Sequence, residues 1–347
     1  MNAAPNLGPE KYPFFSFLTD ALGDRNFDVM PLAGDASSRK YFRIVHGEAS
    51  WVLMVWEPFV DDENYPFLSV LEHFQKHGVL VPAVKVKSPA QGLVLLEDLG
   101  DLTLERKFWE AQDQENILPF YQQSIDELIK IHYHATQDRT ACTAFKVAFD
   151  TEKLLWEMNY GRTHLLEGFC KIQLSAAESQ ELDSVFLKIC SLLDKEERRI
   201  AHRDYHSRNI MFKLGKARII DFQDARMGAI QYDLVSLLKD SYVDLNSKSM
   251  ESLLSYYLEK RQETGAPSIS RAQFDEIFEI QSVQRCFKAC GSFSSFYNLR
   301  NDTRYLKYLA PTLKRVRASL AHFPEFRSFG DILEGYGLYD ESFVKIT

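Results

Sequence analysis

Nowhere does the 347-residue chain approach the ~20 consecutive apolar residues that a bilayer-crossing helix needs. Its opening, MNAAPNLGPEKYPF, lacks the basic start and apolar run of a secretory leader. The five cysteines, Cys142, Cys170, Cys190, Cys286 and Cys290, include no CxxC unit, and their odd number reads as reduced thiols. His73/His77 and His202/His206 have i,i+4 spacing, but no HExxH context makes them a zinc motif. Positive charge is also short. A net charge of -8 argues against a general binder of nucleic acid or of anionic membrane surfaces. The expectation is a cytoplasmic protein with neither nucleic acid nor membrane as its partner.

What is present is an ordinary globular composition, 45% hydrophobic and 26% charged, in two stretches of different character. RKYFRIVHG and ASWVLMVWEP read as two extended runs joined by a turn at His46, Gly47 and Glu48. YPFLSVLEHFQKHG predicts a helix, with Pro66 in its first turn, Phe67, Val70, Leu71 and Phe74 on one face, and Gly78 at its end. GLVLLEDLGD reads as a strand leaving into a turn. From about residue 103 helical periodicity dominates, and SAAE (175–178) and SRAQ (270–273) both fit a capping box. The expected division is a β-rich lobe over residues 1–100 and a helical lobe over 101–347. Only a hairpin at 210–220 is expected to interrupt the helices.

That hairpin carries the chemistry. IMFK and ARII are short β-like runs, and LGK between them supplies Gly215 for a tight turn. Antiparallel pairing brings the far ends together, so Asn209 and Asp221 are expected side by side. An amide oxygen with a carboxylate suits Mg2+, which prefers hard oxygen ligands. Asp204, five residues before Asn209, adds a carboxylate able to accept the proton of an attacking hydroxyl.

HRDYHSRN and IIDFQDA together resemble the catalytic and metal-binding motifs of the protein-kinase-like phosphotransferases, whose aminoglycoside, choline and homoserine kinase branch also carries HxDx4N. The resemblance implies an α+β, bilobal protein-kinase-like fold with a small antiparallel-sheet N-lobe and a mostly helical C-lobe. It implies ATP and Mg2+ as cofactors, Asp204 as catalytic base, and Asn209 and Asp221 as metal ligands. It makes His202 structural, and Asp233, in YDLVSLLKDSY, the aspartate that holds the catalytic loop through backbone amides.

On the nucleotide side, GDASSRKYFRI resembles a phosphate-covering loop running into a strand, with Gly34 its only glycine. Ala36, Ser37 and Ser38 are the candidate phosphate contacts. LLEDLG resembles the linker that binds adenine through backbone groups, around Glu97 to Leu99. The lysine that kinases place in their third strand is missing, and Met54 takes its place in WVLMVWEP. Arg39, Tyr41 and Arg43 alternate along the preceding strand and so share a face. Arg39 and Arg43 are the candidate replacements, Arg39 the favoured one. Glu63 and Glu72 are candidates for the helix glutamate that would partner such a cation.

Between Arg285 and Arg317 stand eight basic residues and a single acid, Asp302, which suits an acidic or neutral acceptor better than a polycation. In order along the chain, GDASSRKYFR, LLEDLGD, HRDYHSRN, IDFQDA followed by GAIQYDLVSLLKDSY, and QRCFKACGSF resemble the anomeric N-acetylmuramate/N-acetylglucosamine kinases of bacterial cell-wall recycling. That family also lacks the strand lysine. The resemblance implies phosphorylation of an amino sugar at its anomeric hydroxyl, with the sugar 1-phosphate passed to a nucleotidyltransferase. Arg285, in the QR motif, is the candidate substrate residue. Two alternatives stay open: another small-molecule kinase of the aminoglycoside, choline or homoserine type, and a nucleotide-binding pseudokinase.

Overall fold

The computed structural model describes residues 9–32, 39–62 and 64–346. Alternating apolar positions in the first hundred residues build one antiparallel sheet from β1 (Asp28–Leu32), β2 (Lys40–His46), β3 (Ala49–Val55), β4 (Val84–Ser88) and β5 (Leu93–Glu97), in the order β1-β2-β3-β5-β4. One face presents Ile44, Leu53, Leu93 and Leu95 to Phe14, Phe17 and Leu18 around helix α1 (Phe15–Leu22). The other presents Met54, Val94 and Leu96 to α2 (Pro66–Lys76) and the core of the second lobe. Because side chains alternate across a sheet, an interior strand covered on both faces needs apolar residues at nearly every position, and β5, between β3 and β4, is buried from Leu93 to Leu96.

The expected helix starts with Pro66 at its first turn and gives way to Gly78 at φ 73. Its predicted face of Phe67, Val70, Leu71 and Phe74 is buried. The β2–β3 turn falls at Gly47 and Glu48, where Gly47 takes φ 60.

The second lobe is built from α3 (Leu104–Glu110), α4 (Gln114–Ile129), α5 (Thr151–Gly161), α6 (Ala176–Asp194), α7 (Gln231–Leu238), α8 (Ser247–Glu263), α9 (Arg271–Arg300) and α10 (Leu309–Leu320). The capping box at Ser175 forms, with the Glu178 N–H donating to Ser175 Oγ at 3.2 Å and the Ser175 N–H to Glu178 Oε2 at 2.7 Å. The second expected box does not form, since Ser270 makes no side-chain cap. The first turn of α9 is held instead by Arg271, which bonds Asp275 and Glu251.

Strand structure in this lobe exceeds the expected hairpin. Besides β7 (Ile210–Lys213) and β8 (Lys216–Ile219), β6 (Arg198–Ala201) pairs antiparallel with β9 (Arg226–Ala229). This ladder fixes the entry at Ala201 to the loop over residues 202–209. Helix α9 crosses α5 where Gly291 meets Gly161. A Cβ on Gly291 would lie 2.6 Å from the Gly161 Cα, so the contact is backbone on backbone. The crossing seats Phe287 and Cys290 in the core and fixes the face of α9 that looks toward residue 204.

Candidate active site

The β7–β8 hairpin turns through Leu214 and Gly215, at φ 51 and 74. Two successive left-handed residues make the tight turn whose twist matches the flanking strands. The register Ile210↔Ile219 follows, and the chain ends beyond it converge. The Asn209 carboxamide donates to Asp221 Oδ2 at 3.3 Å and to the Asp204 carbonyl at 2.9 Å. The Ile220 N–H donates to the Asn209 carbonyl at 3.1 Å. The structure thus brings Asp204, Asn209 and Asp221 together.

Buried anchors hold the loop that carries Asp204. Asp233, at the start of α7 and fully buried, accepts the His202 N–H at 2.6 Å and the Arg203 N–H at 3.0 Å. His132 Nε2 lies 3.2 Å from the same carboxylate. The His202 ring donates through Nε2 to the Ile220 carbonyl at 3.0 Å, tying the loop to the residue before Asp221. Asp240, which the sequence did not single out, accepts the Ser207 N–H at 2.8 Å. Arg203 and Asp221 are left-handed, at φ 85 and 64. For such residues this costs about 1–3 kcal/mol each and persists only where the surroundings enforce it.

The donor set fits a hard divalent cation. Asp221 is exposed, with Oδ1 accepting from Gln223 Nε2 at 2.9 Å. Among the described residues no hydrogen bond reaches Asn209 Oδ1, and the buried Gln223 Oε1 is also unpartnered. Among the described residues His73, His77 and Asp138 form another group of potential ligands, and there Lys76 already neutralises Asp138 at 2.6 Å.

Charge around Asp204 is mostly positive. Arg285 Nη2 lies 3.4 Å and Arg203 Nε 4.0 Å from its carboxylate. Burial pushes the Asp204 carboxyl up, but Lys288, Arg203 and Arg285 outweigh burial and hold it well below the usual carboxylate range. Arg285 is itself fixed, donating through Nε to Ser236 Oγ at 3.0 Å. Asp204, Arg285 and Lys288 line a cavity of about 130 Å³ with Tyr242, Phe293 and Phe296. The basic segment is therefore not one wall. Arg285 and Lys288 face the cavity, whereas Arg304, Arg315 and Arg317 pair with Asp302, Asp244 and Glu334 on the outside.

On the sheet side, Tyr41 sits directly across from Met54, and Met54 is fully buried. Arg39 stacks over Trp56 with its guanidinium carbon 4.4 Å from the ring centroid. Arg43 is committed to Asp98 at 2.7 Å and to Asp101 at 2.9 Å, in the linker between the lobes. Glu97 pairs with Lys213 at 2.8 Å, and the Lys213 ammonium also donates to the Asp98 carbonyl at 2.8 Å. Among the described residues the peptide groups of Leu99 make no hydrogen bond. Glu72 is exposed and lies 3.7 Å from Lys87, on the outer side of α2. Gly34, Ala36, Ser37, Ser38 and Glu63 lie outside the described residues.

Known proteins share this architecture and sequence. The chain is 28% identical to the N-acetylmuramate/N-acetylglucosamine kinase of Neisseria meningitidis, over 89% of this chain and 91% of that one. It is 27% identical to the enzyme of the same name from Pseudomonas aeruginosa, over 88% of each. Among solved structures, the ADP-bound aminoglycoside phosphotransferase APH(2'')-Ib superposes with a TM-score of 0.59 at 16% identity, over 91% of this chain and 99% of that one. The choline kinase LicA of Streptococcus pneumoniae superposes at 0.58 and 14% identity, over 90% and 97%. At such identities these two establish the bilobal protein-kinase-like fold. No helix is long and apolar enough to cross a membrane among the described residues. Residues 28–267 match the phosphotransferase enzyme family, and the chain belongs to it.

Proposed function

We propose that the chain transfers the terminal phosphoryl group of ATP to the anomeric hydroxyl of N-acetylmuramate and N-acetylglucosamine, giving the sugar 1-phosphate. The observation that carries the reading is the cavity beside Asp204, which sets two cations, Arg285 and Lys288, among aromatic side chains. A polycationic aminoglycoside or a choline would meet repulsion there, whereas an amino sugar bearing a carboxylate is complementary. The kinases from Neisseria and Pseudomonas bearing that activity in their names support it from sequence.

Asn209 and Asp221 would hold magnesium, which when bound neutralises charge on the phosphates. Asp204 accepts a hydrogen bond from the anomeric hydroxyl and aims its oxygen at phosphorus. A carboxylate held this far below its usual range is a weak base, so its first contribution is orientation, with the proton taken late. An anomeric hydroxyl is more acidic than an ordinary alcohol, which suits so weak a base. The Leu99 peptide groups take the adenine, and Ala36, Ser37 and Ser38 take phosphate oxygens. Arg39, the residue before β2, supplies the cation that the third strand lacks. Arg43 braces the linker through Asp98 and Asp101 rather than reaching phosphate. The setting is cytoplasmic, where ATP is available and free thiols stay reduced. The product would be consumed by a nucleotidyltransferase that makes a nucleotide sugar.

A panel of acceptors tests this. Reducing N-acetylated amino sugars are expected to be phosphorylated and their 1-O-methyl glycosides refused. Turnover of the methyl glycosides, or of an aminoglycoside or choline in place of the sugars, would contradict it.

A further inference from the structure

Lys288 lies three residues after Arg285 on α9 and is only 9% exposed. Its neighbours Phe287, Ala289 and Cys290 are core residues. Among the described residues no hydrogen bond or ion pair reaches its ammonium. The contrast with other cations nearby is sharp. Lys239, on the same cavity, is matched by Glu279 at 2.6 Å and Ser319 at 3.0 Å. Arg285 is matched by Ser236 and Asp204. Glu157, the fully buried carboxylate behind the cavity, is already taken by Gln284 at 2.9 Å and Tyr232 at 3.1 Å.

A buried ammonium without a hydrogen-bonded partner is costly, and the Asp204 and Glu157 charges offset only part of that cost. Burial, followed by the Arg285 charge, pulls the Lys288 ammonium down to about 8. The group lines the Asp204 cavity, whose wall also carries Tyr242, Phe293 and Phe296. Asn209 and Asp221 do not line it, so the phosphate end of the reaction lies elsewhere.

We propose that Lys288 is the anion anchor of the acceptor cavity: its ammonium takes the carboxylate of an acid-bearing sugar and so selects that acceptor over its neutral counterpart. This rests on the amino-sugar reading above. Arg285, already bonded to Ser236 and Asp204, positions the base, and Lys288 is the group left to meet the ligand. N-acetylmuramate and N-acetylglucosamine differ by one lactyl ether that carries the carboxylate, so the pair isolates this contact.

The test is steady-state kinetics of Lys288→Met and Lys288→Arg with both sugars. For Lys288→Met, kcat/KM toward N-acetylmuramate is expected to fall at least ~10-fold, the size of one charge-assisted hydrogen bond. Toward N-acetylglucosamine the fall is expected to be at least ~10-fold smaller, because there only the effect of the Lys288 charge on Asp204 is lost, and Lys288→Arg is expected to restore most of the preference. An equal fall with both sugars overturns the proposal and points to the phosphoryl group. An unchanged ratio overturns it as well. If Lys288→Met does not fold, Lys288→Gln gives the same comparison. Wild-type enzyme that phosphorylates neither sugar overturns the amino-sugar reading itself, a different failure from an altered-residue ratio that does not move.

Discussion

The Asn209 carboxamide lies 3.3 Å from the Asp221 carboxylate although twelve residues separate them in the chain. The two-residue turn at Leu214 and Gly215 makes this contact, because it fixes the register of the strands between them. Asp204 joins them through its own carbonyl, which accepts from Asn209. The three side chains are thus held from the backbone outward.

Removing the carboxylates tests their roles. Asp204→Asn and Asp221→Ala are each expected to lower turnover at least ~100-fold, the lower range for a general-base contribution. Circular dichroism is expected to be unchanged. Near wild-type rates in a coupled ADP-release assay would refute the assignment.

Asp233 acts one layer further back. An Asp233→Asn carboxamide turns an N–H toward either the His202 or the Arg203 amide, so one of two buried hydrogen bonds becomes a clash. Each bond to a charged acceptor is worth roughly 1.5–3 kcal/mol. Chemical denaturation is expected to show a loss of about that size or more, with kcat reduced and both KM values little changed. A stable, active Asp233→Asn enzyme would contradict the anchoring role.

The Lys288 ammonium, held near 8, gives a pH signature. The protonated form binds a carboxylate, so kcat/KM for N-acetylmuramate is expected to be level around pH 7 and to fall above about pH 8. Over this range Arg203 and Arg285 stay charged, burial keeps His206 neutral, and burial keeps the Tyr232 and Tyr242 phenols protonated. N-acetylglucosamine is expected to show no such fall. A shared profile for the two sugars would count against Lys288 as the titrating group.

The helix crossing that sets the cavity has little slack. Gly291→Ala gains about 1 kcal/mol of helix propensity but forces a methyl against the Gly161 backbone. Overpacking costs typically 1–3 kcal/mol and more where backbone must move. A net loss of stability is expected in urea denaturation, and a gain would show that α5 and α9 separate easily.

Much of this was legible in the residues. A glycine between two short apolar runs determined the hairpin, and the hairpin determined which side chains meet. The β6–β9 ladder was not legible, because four-residue strands such as RRIA and RMGA carry too little periodicity. The failed cap at Ser270 shows tertiary ion pairs from Arg271 overriding a local pattern. Lys288 was hidden among eight basic residues. The signal that separates it is that α9 is apolar around most of its girth at residues 286–290, so a lysine there must be buried. Arg43 looked like a phosphate ligand because strand alternation gives the face of a residue but not its partner.

Phosphorus NMR of the product formed from ATP and N-acetylmuramate tests the central claim most directly. A phosphomonoester coupled to the anomeric proton, with ADP released in equal amount, is the expected result. A phosphate on another hydroxyl, or ADP formed with no sugar phosphate, would contradict it.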